Sequence, residues 1–241
     1  MKKLLEKTCP VCGGTEFRYR PVLWPELIRD WGLTGAEVEY LNRREGICCV
    51  ACGCSLRVMG LAVAILRAFE QPDCPTLLAW TGSAVGQNLR VLQINTAGGW
   101  LNPDGLTDVL RRLPGHTLAC FPEHDMQDLR AFADGDFRCV IHSDTLEHVP
   151  NCIAGLRECR RVLWTGGTCI YTVPLLVGKL SRGRDGMPLV RHASTVAGHP
   201  GDIVYTDYGA DAWRFPLLAE FSSVTVHSFE YPAALALEAR N

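Results

Sequence analysis

From Arg90 onward the chain alternates short apolar runs with amphipathic stretches. Val91 to Ile94 reads as a buried strand, followed by a turn of small residues and a helix over about 104–113. Leu118 to Phe121 reads as a second strand, Cys139 to His142 as a third, 153–163 as a helix, and Thr168 to Val173 as a β-branched strand. A helix over 211–220 precedes a terminal hairpin, Val224 to Phe229 with Ala233 to Glu238, around Pro232. Strand–helix alternation of this kind predicts an α/β fold, a mostly parallel Rossmann-like sheet with helices on both faces. Little chain separates Phe121 from Asp125, so a helix and strand have no room there, and the sheet is expected to lack one edge strand or to carry a third strand too short to count.

Upstream, the pattern changes. Apolar residues from Leu56 to Phe69 recur at helical spacing behind Ser55, and Pro72 with Pro75 forbids continuation. Residues from about Thr34 to Asn42 predict a shorter helix. The chain therefore divides into a module over 1–70 that ends in a docking helix, a linker over 71–86, and the α/β domain over 87–241.

Cysteine placement defines the first of these parts. Of 12 cysteines, eight lie at no regular spacing, as reduced core thiols do. The others form two CxxC knuckles, Cys9-Pro-Val-Cys12 and Cys49-Val-Ala-Cys52, each followed by glycine. Two such knuckles can turn four thiolates toward one Zn²⁺ at about 2.3 Å. Cys48 and Cys54 flank the second knuckle and compete for its places. No βαβ pattern surrounds either pair, which argues against a redox dithiol. A closed four-thiolate shell is structural, because it has no open position for chemistry.

Composition narrows the partners. A chain of 241 residues with 47% apolar and 21% charged residues is that of a soluble globular protein. Lys and Arg number 24 against 26 Asp and Glu, a net charge of -2, so no global basic field exists for nucleic acid phosphates. The start lacks the apolar core of a secretory signal, and no run approaches the roughly 20 residues of a membrane span, so a cytoplasmic location is expected.

Three segments then carry a resemblance. His142-Ser-Asp-Thr-Leu-Glu-His-Val-Pro150, Gly155-Leu-Arg-Glu-Cys-Arg-Arg-Val-Leu163 and Gly166-Gly-Thr-Cys-Ile-Tyr-Thr-Val-Pro174, preceded by Asp125-Met-Gln-Asp-Leu129 and Phe132-Ala-Asp-Gly-Asp-Phe137, resemble class I S-adenosylmethionine-dependent methyltransferases over about 87–239. The resemblance implies that the cofactor lies past the carboxyl ends of the strands. It places Asn95, Ala97, Gly98 and Gly99 in the first loop, where relatives alternate three glycines and this chain keeps only Gly99. It puts the ribose acceptor at Cys120 or Glu123, and adenine recognition at Asp125 and Met126. Ser143 and Leu146 face the methionine end, and Asp144 and His148 are the catalytic candidates. His192, His199, Tyr205 and Asp207 are expected to border the acceptor, in a stretch whose composition is otherwise that of a solvated loop.

Three functions compete. The first is methyl transfer to oxygen or nitrogen of a small or carrier-linked acceptor. The second, consistent with Asn95, Ala97, Cys120 and Trp164-Thr165 in place of the usual residues, is a degenerate methyltransferase domain serving as a scaffold whose zinc module binds a protein partner. The third, nucleic acid modification, runs against the charge balance.

Overall fold

The computed structural model describes residues 8–71, 74–191 and 203–241. The chain opens with the first knuckle, then β1 (Phe17–Tyr19), α1 (Pro25–Asp30), α2 (Gly35–Gly46) and β2 (Ile47–Cys49). Thr34 and Glu37 close a capping box on α2, so the N–H groups of both residues are satisfied at its start. β1 and β2 pair antiparallel, bringing Phe17 opposite Cys49 beside the knuckles.

α3 (Leu56–Ala68) follows, capped by the Ser55 hydroxyl, which accepts from Val58 N–H. α4 (Leu77–Thr81) and α5 (Ala84–Gln87) come next, each capped by a hydroxyl, that of Thr76 and that of Ser83. The stretch read as a linker thus holds two short helices.

The α/β part runs β3 (Arg90–Ile94), α6 (Gly105–Leu110), β4 (Gly115–Ala119), β5 (Phe137–Ser143), a 3-10 turn (Leu146–His148), α7 (Cys152–Val162) and β6 (Leu163–Thr172). Three short strands, β7 (Leu175–Leu176), β8 (Arg182–Gly183) and β9 (Thr206–Gly209), form a small sheet in the order β7-β9-β8. α8 (Arg214–Leu218), β10 (Ser223–Glu230) and β11 (Ala234–Arg240) complete the chain.

Among the described residues the central sheet has six strands in the order β10-β11-β6-β5-β3-β4. β4, β3, β5 and β6 are parallel, whereas β11 is antiparallel to β6 and β10 to β11. β4 is an edge, as the short chain between Phe121 and Asp125 requires. The mixed, mostly parallel sheet with helices on both faces is the architecture expected.

Alternate residues of each strand feed two cores. Val91, Cys139, Ile141, Ile170, Ala234 and Ala236 face a layer that includes α3, α4 and α6. Leu92, Val140, Cys169, Tyr171, Leu235 and Leu237 face the layer of α7. α3 is therefore part of the sheet's own cover as well as the continuation of the cysteine module. Among the described residues no helix is long and apolar enough to cross a membrane.

Candidate functional site

The parallel strands end together on one rim, where a ligand is expected in an open α/β sheet. Asn95 stands at its centre. Its φ of 59° lies in the left-handed region, which asparagine tolerates better than most residues. Its N–H donates to Ala119 O (2.8 Å), its Oδ1 accepts from Phe121 N–H (3.0 Å) and its Nδ2 donates to Thr145 Oγ1 (3.4 Å). One side chain thereby ties the carboxyl ends of β3, β4 and β5.

Gln93 is fully buried. Its Nε2 donates to Asn95 O (2.9 Å) and Thr107 Oγ1 (2.8 Å), and its Oε1 lies 3.0 Å from His116 Nε2. The amide satisfies a buried network that fixes the loop from inside.

The small residues that follow meet the cysteine module. Ala97 N–H donates to Thr107 Oγ1 (3.0 Å), and Ser55 Oγ donates to Gly98 O (3.3 Å). A Cβ on Gly99 would lie 2.4 Å from Gly53 O and 2.7 Å from Ser55 N; one on Gly105 would lie 2.4 Å from Cys52 O. Real Cβ atoms do not come that close, so the second knuckle itself demands glycine at these positions.

Around Asn95 the rim is open. Thr96 is exposed, and Cys120, Asp125 and Gln127 are half-buried. Asp125 Oδ1 accepts from Gln127 N–H (2.8 Å), an Asx turn that holds the carboxylate in place. Burial pushes the Cys120 thiol up, so it stays protonated. Glu123 is exposed, while Met126 and Leu146 lie in the core, Met126 against Gly155.

The other end of the rim is charged. Asp144, at φ 47°, accepts from Arg44 Nη1 and Nη2, both at 2.6 Å, and from Thr172 Oγ1 at 3.0 Å. Arg57 Nε stands 3.4 Å from Asp144 and 2.9 Å from Glu45, and its Nη1 donates to Ser143 Oγ. Burial alone would raise the Asp144 carboxyl, but Arg44 and Arg57 overcome it and hold it well below the usual range. These arginines come from α2 and α3, so the amino-terminal part reaches into the carboxyl ends of β5 and β6. Neither was legible as a site residue, although an arginine inside the apolar run of α3 is a signal that it has a buried partner.

Of the residues expected at the acceptor, His192 and His199 lie outside the described residues. Tyr205 N–H donates to Glu147 O (2.7 Å). Asp207 is buried, with Oδ2 bound by Arg182 (2.9 Å) and Arg184 (2.8 Å). His148 Nδ1 lies 2.9 Å from Ile203 O.

In the amino-terminal part, the thiol sulfurs of Cys9, Cys12, Cys49 and Cys52 all lie within 4.8 Å of one another. Cys9 and Cys52 are 3.7 Å apart, as are Cys12 and Cys49. A tetrahedron with bonds of about 2.3 Å has edges of about 3.8 Å, so these separations fit a four-thiolate metal shell. Cys48 and Cys54 are outside this set. Hydrogen bonds from Cys49, Cys54 and Cys9 pull the Cys52 thiol down, whereas bonding to Cys49 and Cys52 pushes Cys9 up. Without a cation the cluster cannot ionise fully.

A family model described as a methyltransferase domain matches residues 81–171. A comparison with curated proteins found no match. Among solved structures, an S-adenosylmethionine-dependent methyltransferase from Thermotoga maritima aligns at 12% identity over 64% of this chain and 82% of its own, with a TM-score of 0.38. The Burkholderia thailandensis 1,6-didemethyltoxoflavin-N1-methyltransferase, solved with S-adenosylhomocysteine, aligns at 13% identity over 76% of this chain and 88% of its own, TM-score 0.39. The CurJ carbon methyltransferase aligns at 14% identity over 89% and 69%, TM-score 0.40. The matched stretch, residues 81–171, is similar to a methyltransferase domain and lies on the mostly parallel sheet, with a four-cysteine cluster in the chain before it.

Proposed function

We propose that the chain transfers a methyl group from S-adenosylmethionine to oxygen or nitrogen of a small or carrier-linked acceptor, with Cys9, Cys12, Cys49 and Cys52 holding a structural Zn²⁺. The observation that carries this reading is the rim itself. Three parallel strand ends converge on Asn95, with reachable polar groups on one side and fixed guanidinium groups on the other. When bound, the cofactor supplies an electrophilic methyl group on a sulfonium.

The chain's residues then have separable tasks. Asn95, Cys120, Glu123, Asp125 and the backbone at Met126 are the set for the adenosine, and Asp125 is already oriented by Gln127. Ala97, Gly98 and Gly99 hold the loop against the knuckle. Ser143, Asp144 and Leu146 stand at the methionine end. The two guanidinium groups keep Asp144 ionised, so it orients and balances charge rather than exchanging protons. His148 is the group that can take a proton, needed only where the acceptor's nucleophile carries one. Tyr205 and Asp207, with His192 and His199, are assigned to the acceptor side.

A second reading has its own support. The close approach at Gly99 and Gly105 is made by the knuckle, and Asp144 is bound by two arginines, so this loop and this acid already have structural employment. That arrangement also suits a scaffold without catalysis. Titration calorimetry separates the two: binding of S-adenosylmethionine at micromolar concentration is expected, and no heat at millimolar cofactor would leave the scaffold. Metal analysis of freshly purified protein is expected to give one zinc per chain, and less than half an equivalent would overturn the assignment of the cysteines.

A further inference from the structure

Behind the Asp144 cluster is a recess lined by Trp31, Glu147, Pro174, Leu176, Val204, Thr206, Asp207 and Tyr208. It has about 10 Å³ of space for the centre of a water-sized group, room for one water or one ammonium head. Its walls come from the α1–α2 connection, the turn after β5, the segment after β6, and β9, so it lies on the carboxyl side of the sheet.

Two of the residues that line it, Glu147 and Asp207, carry unusual polar atoms. Glu147 is 1% exposed, and neither of its carboxyl oxygens has a hydrogen-bond partner among the described residues. His148 Nε2 stands 3.7 Å from Oε1, beyond hydrogen-bonding range. Asp207 Oδ1 is likewise buried and without a hydrogen-bond partner, whereas the Tyr208 hydroxyl is turned to Cys152. An unpartnered buried polar atom costs about 1–3 kcal/mol, more for a charged group, and three around one small space point to a polar ligand.

We propose that this recess binds the amino group of a primary amine, the functional group by which the methyl acceptor is recognised. Identifying the ligand as the acceptor rests on the methyltransferase reading; the amine site itself does not. A primary ammonium has three N–H donors, matching the two Glu147 oxygens and Asp207 Oδ1, whereas a hydroxyl brings one donor and leaves acceptors bare. Leu176, Val204 and Pro174 form an apolar collar for the carbon next to the nitrogen.

Charge supports the same choice. Burial, reinforced by Asp144, pushes the Glu147 carboxyl well above its ordinary range, so the empty recess holds it neutral. The groups facing it are Asp144 after β5, Arg44 from α2, Arg57 from α3, His148 on its own turn, and Asp207 and Tyr208 from β9. When an ammonium enters, Glu147 loses its proton to the solvent and becomes the counter-ion. The local charge is then the same before and after binding.

The test uses the whole chain with n-butylamine and its near-isostere n-butanol as probes, read by calorimetry at neutral pH in two buffers of different ionisation enthalpy. Saturable n-butylamine binding with release of about one proton is expected, with n-butanol at least tenfold weaker. Glu147→Gln, checked for an unchanged far-ultraviolet spectrum, should weaken the amine at least tenfold and abolish the proton release. Equal binding of the two probes, no proton release, or an unaffected Gln variant would overturn the site. S-adenosylmethionine titrated into the same sample reads the other proposal separately: amine binding without cofactor binding keeps the recess and retires the methyltransferase, and the converse does the reverse.

Discussion

Arg44 has one of the most consequential side chains in the molecule. Its guanidinium is almost fully buried, holds Asp144 through two bonds and donates a further one to Val173 O (2.9 Å). Removing one partner of a buried pair strands the other, so Arg44→Met is expected to cost about 3–5 kcal/mol at pH 7 in urea denaturation. Asp144 is held below its unfolded value, so its contribution is present above about pH 4 and fades as pH falls through the folded value. The variant should therefore lose its disadvantage in strong acid. His142 has the opposite chemistry. Stacked on Tyr171 at 4.6 Å, with neither ring nitrogen partnered, it is lowered by burial to about 3. The unfolded chain takes up this proton near pH 6.5 and the folded one does not, so stability declines as pH falls from there toward 3, by at most about 1.4 kcal/mol per pH unit. His142→Phe should flatten that limb, and urea midpoints at pH 7, 5.5 and 4 that still fall in parallel with the parent would contradict it. The four-cysteine cluster was legible because a knuckle is a local pattern. Arg44 and Arg57 were not, since their partners at the rim, Asp144 and Ser143, lie 100 and 86 residues away, and the Glu45 they share is a local partner that says nothing of the rim.

At the scale of elements, the loop between β3 and α6 carries the clearest lesson. Its small residues were aligned with a cofactor-binding glycine pattern, and the structure gives them a second reason, the backbone of the second knuckle. Gly99→Ala would place a methyl group against Gly53 O and Ser55 N and should displace the knuckle, lowering stability by about 1–3 kcal/mol. A chelator that strips the proposed zinc is expected to loosen the same contact, visible as faster hydrogen exchange over 95–105; unchanged protection there would show that knuckle and loop are independent. Most strand positions were readable from apolar runs, and the trimmed edge from the short chain between Phe121 and Asp125, but β4 lies at Gly115–Ala119, earlier than the apolar run Leu118 to Phe121 suggests. The helices after Pro75 were passed over, although Thr76 and Ser83 are ordinary N-caps, because prolines and small residues dominate the local composition. The helix expected over 211–220 is shorter, Arg214–Leu218, with turns taking up its beginning.

For the molecule as a whole, strand–helix alternation was enough to predict a parallel sheet between two helical layers, but not what lies over its rim. That arrangement depends on contacts between the first and last thirds of the chain, such as Tyr40 Oη donating to Leu175 O (3.1 Å) and Arg43 pairing with Glu230. α3 has the broadest reach. Its residues Leu56, Met59, Leu61, Ile65 and Leu66 are in one core with Ile170, Ala234 and Ala236 of the sheet. A fragment beginning at residue 87 would leave that face wet. Such a fragment should be recovered insoluble or bind a hydrophobic dye strongly, while one beginning at residue 55 should do so less. A gene fusion or domain swap made at this junction would consequently have to leave residues 56–68 with whichever product keeps the sheet, and the donor of the metal knuckle would lose its anchor in the exchange.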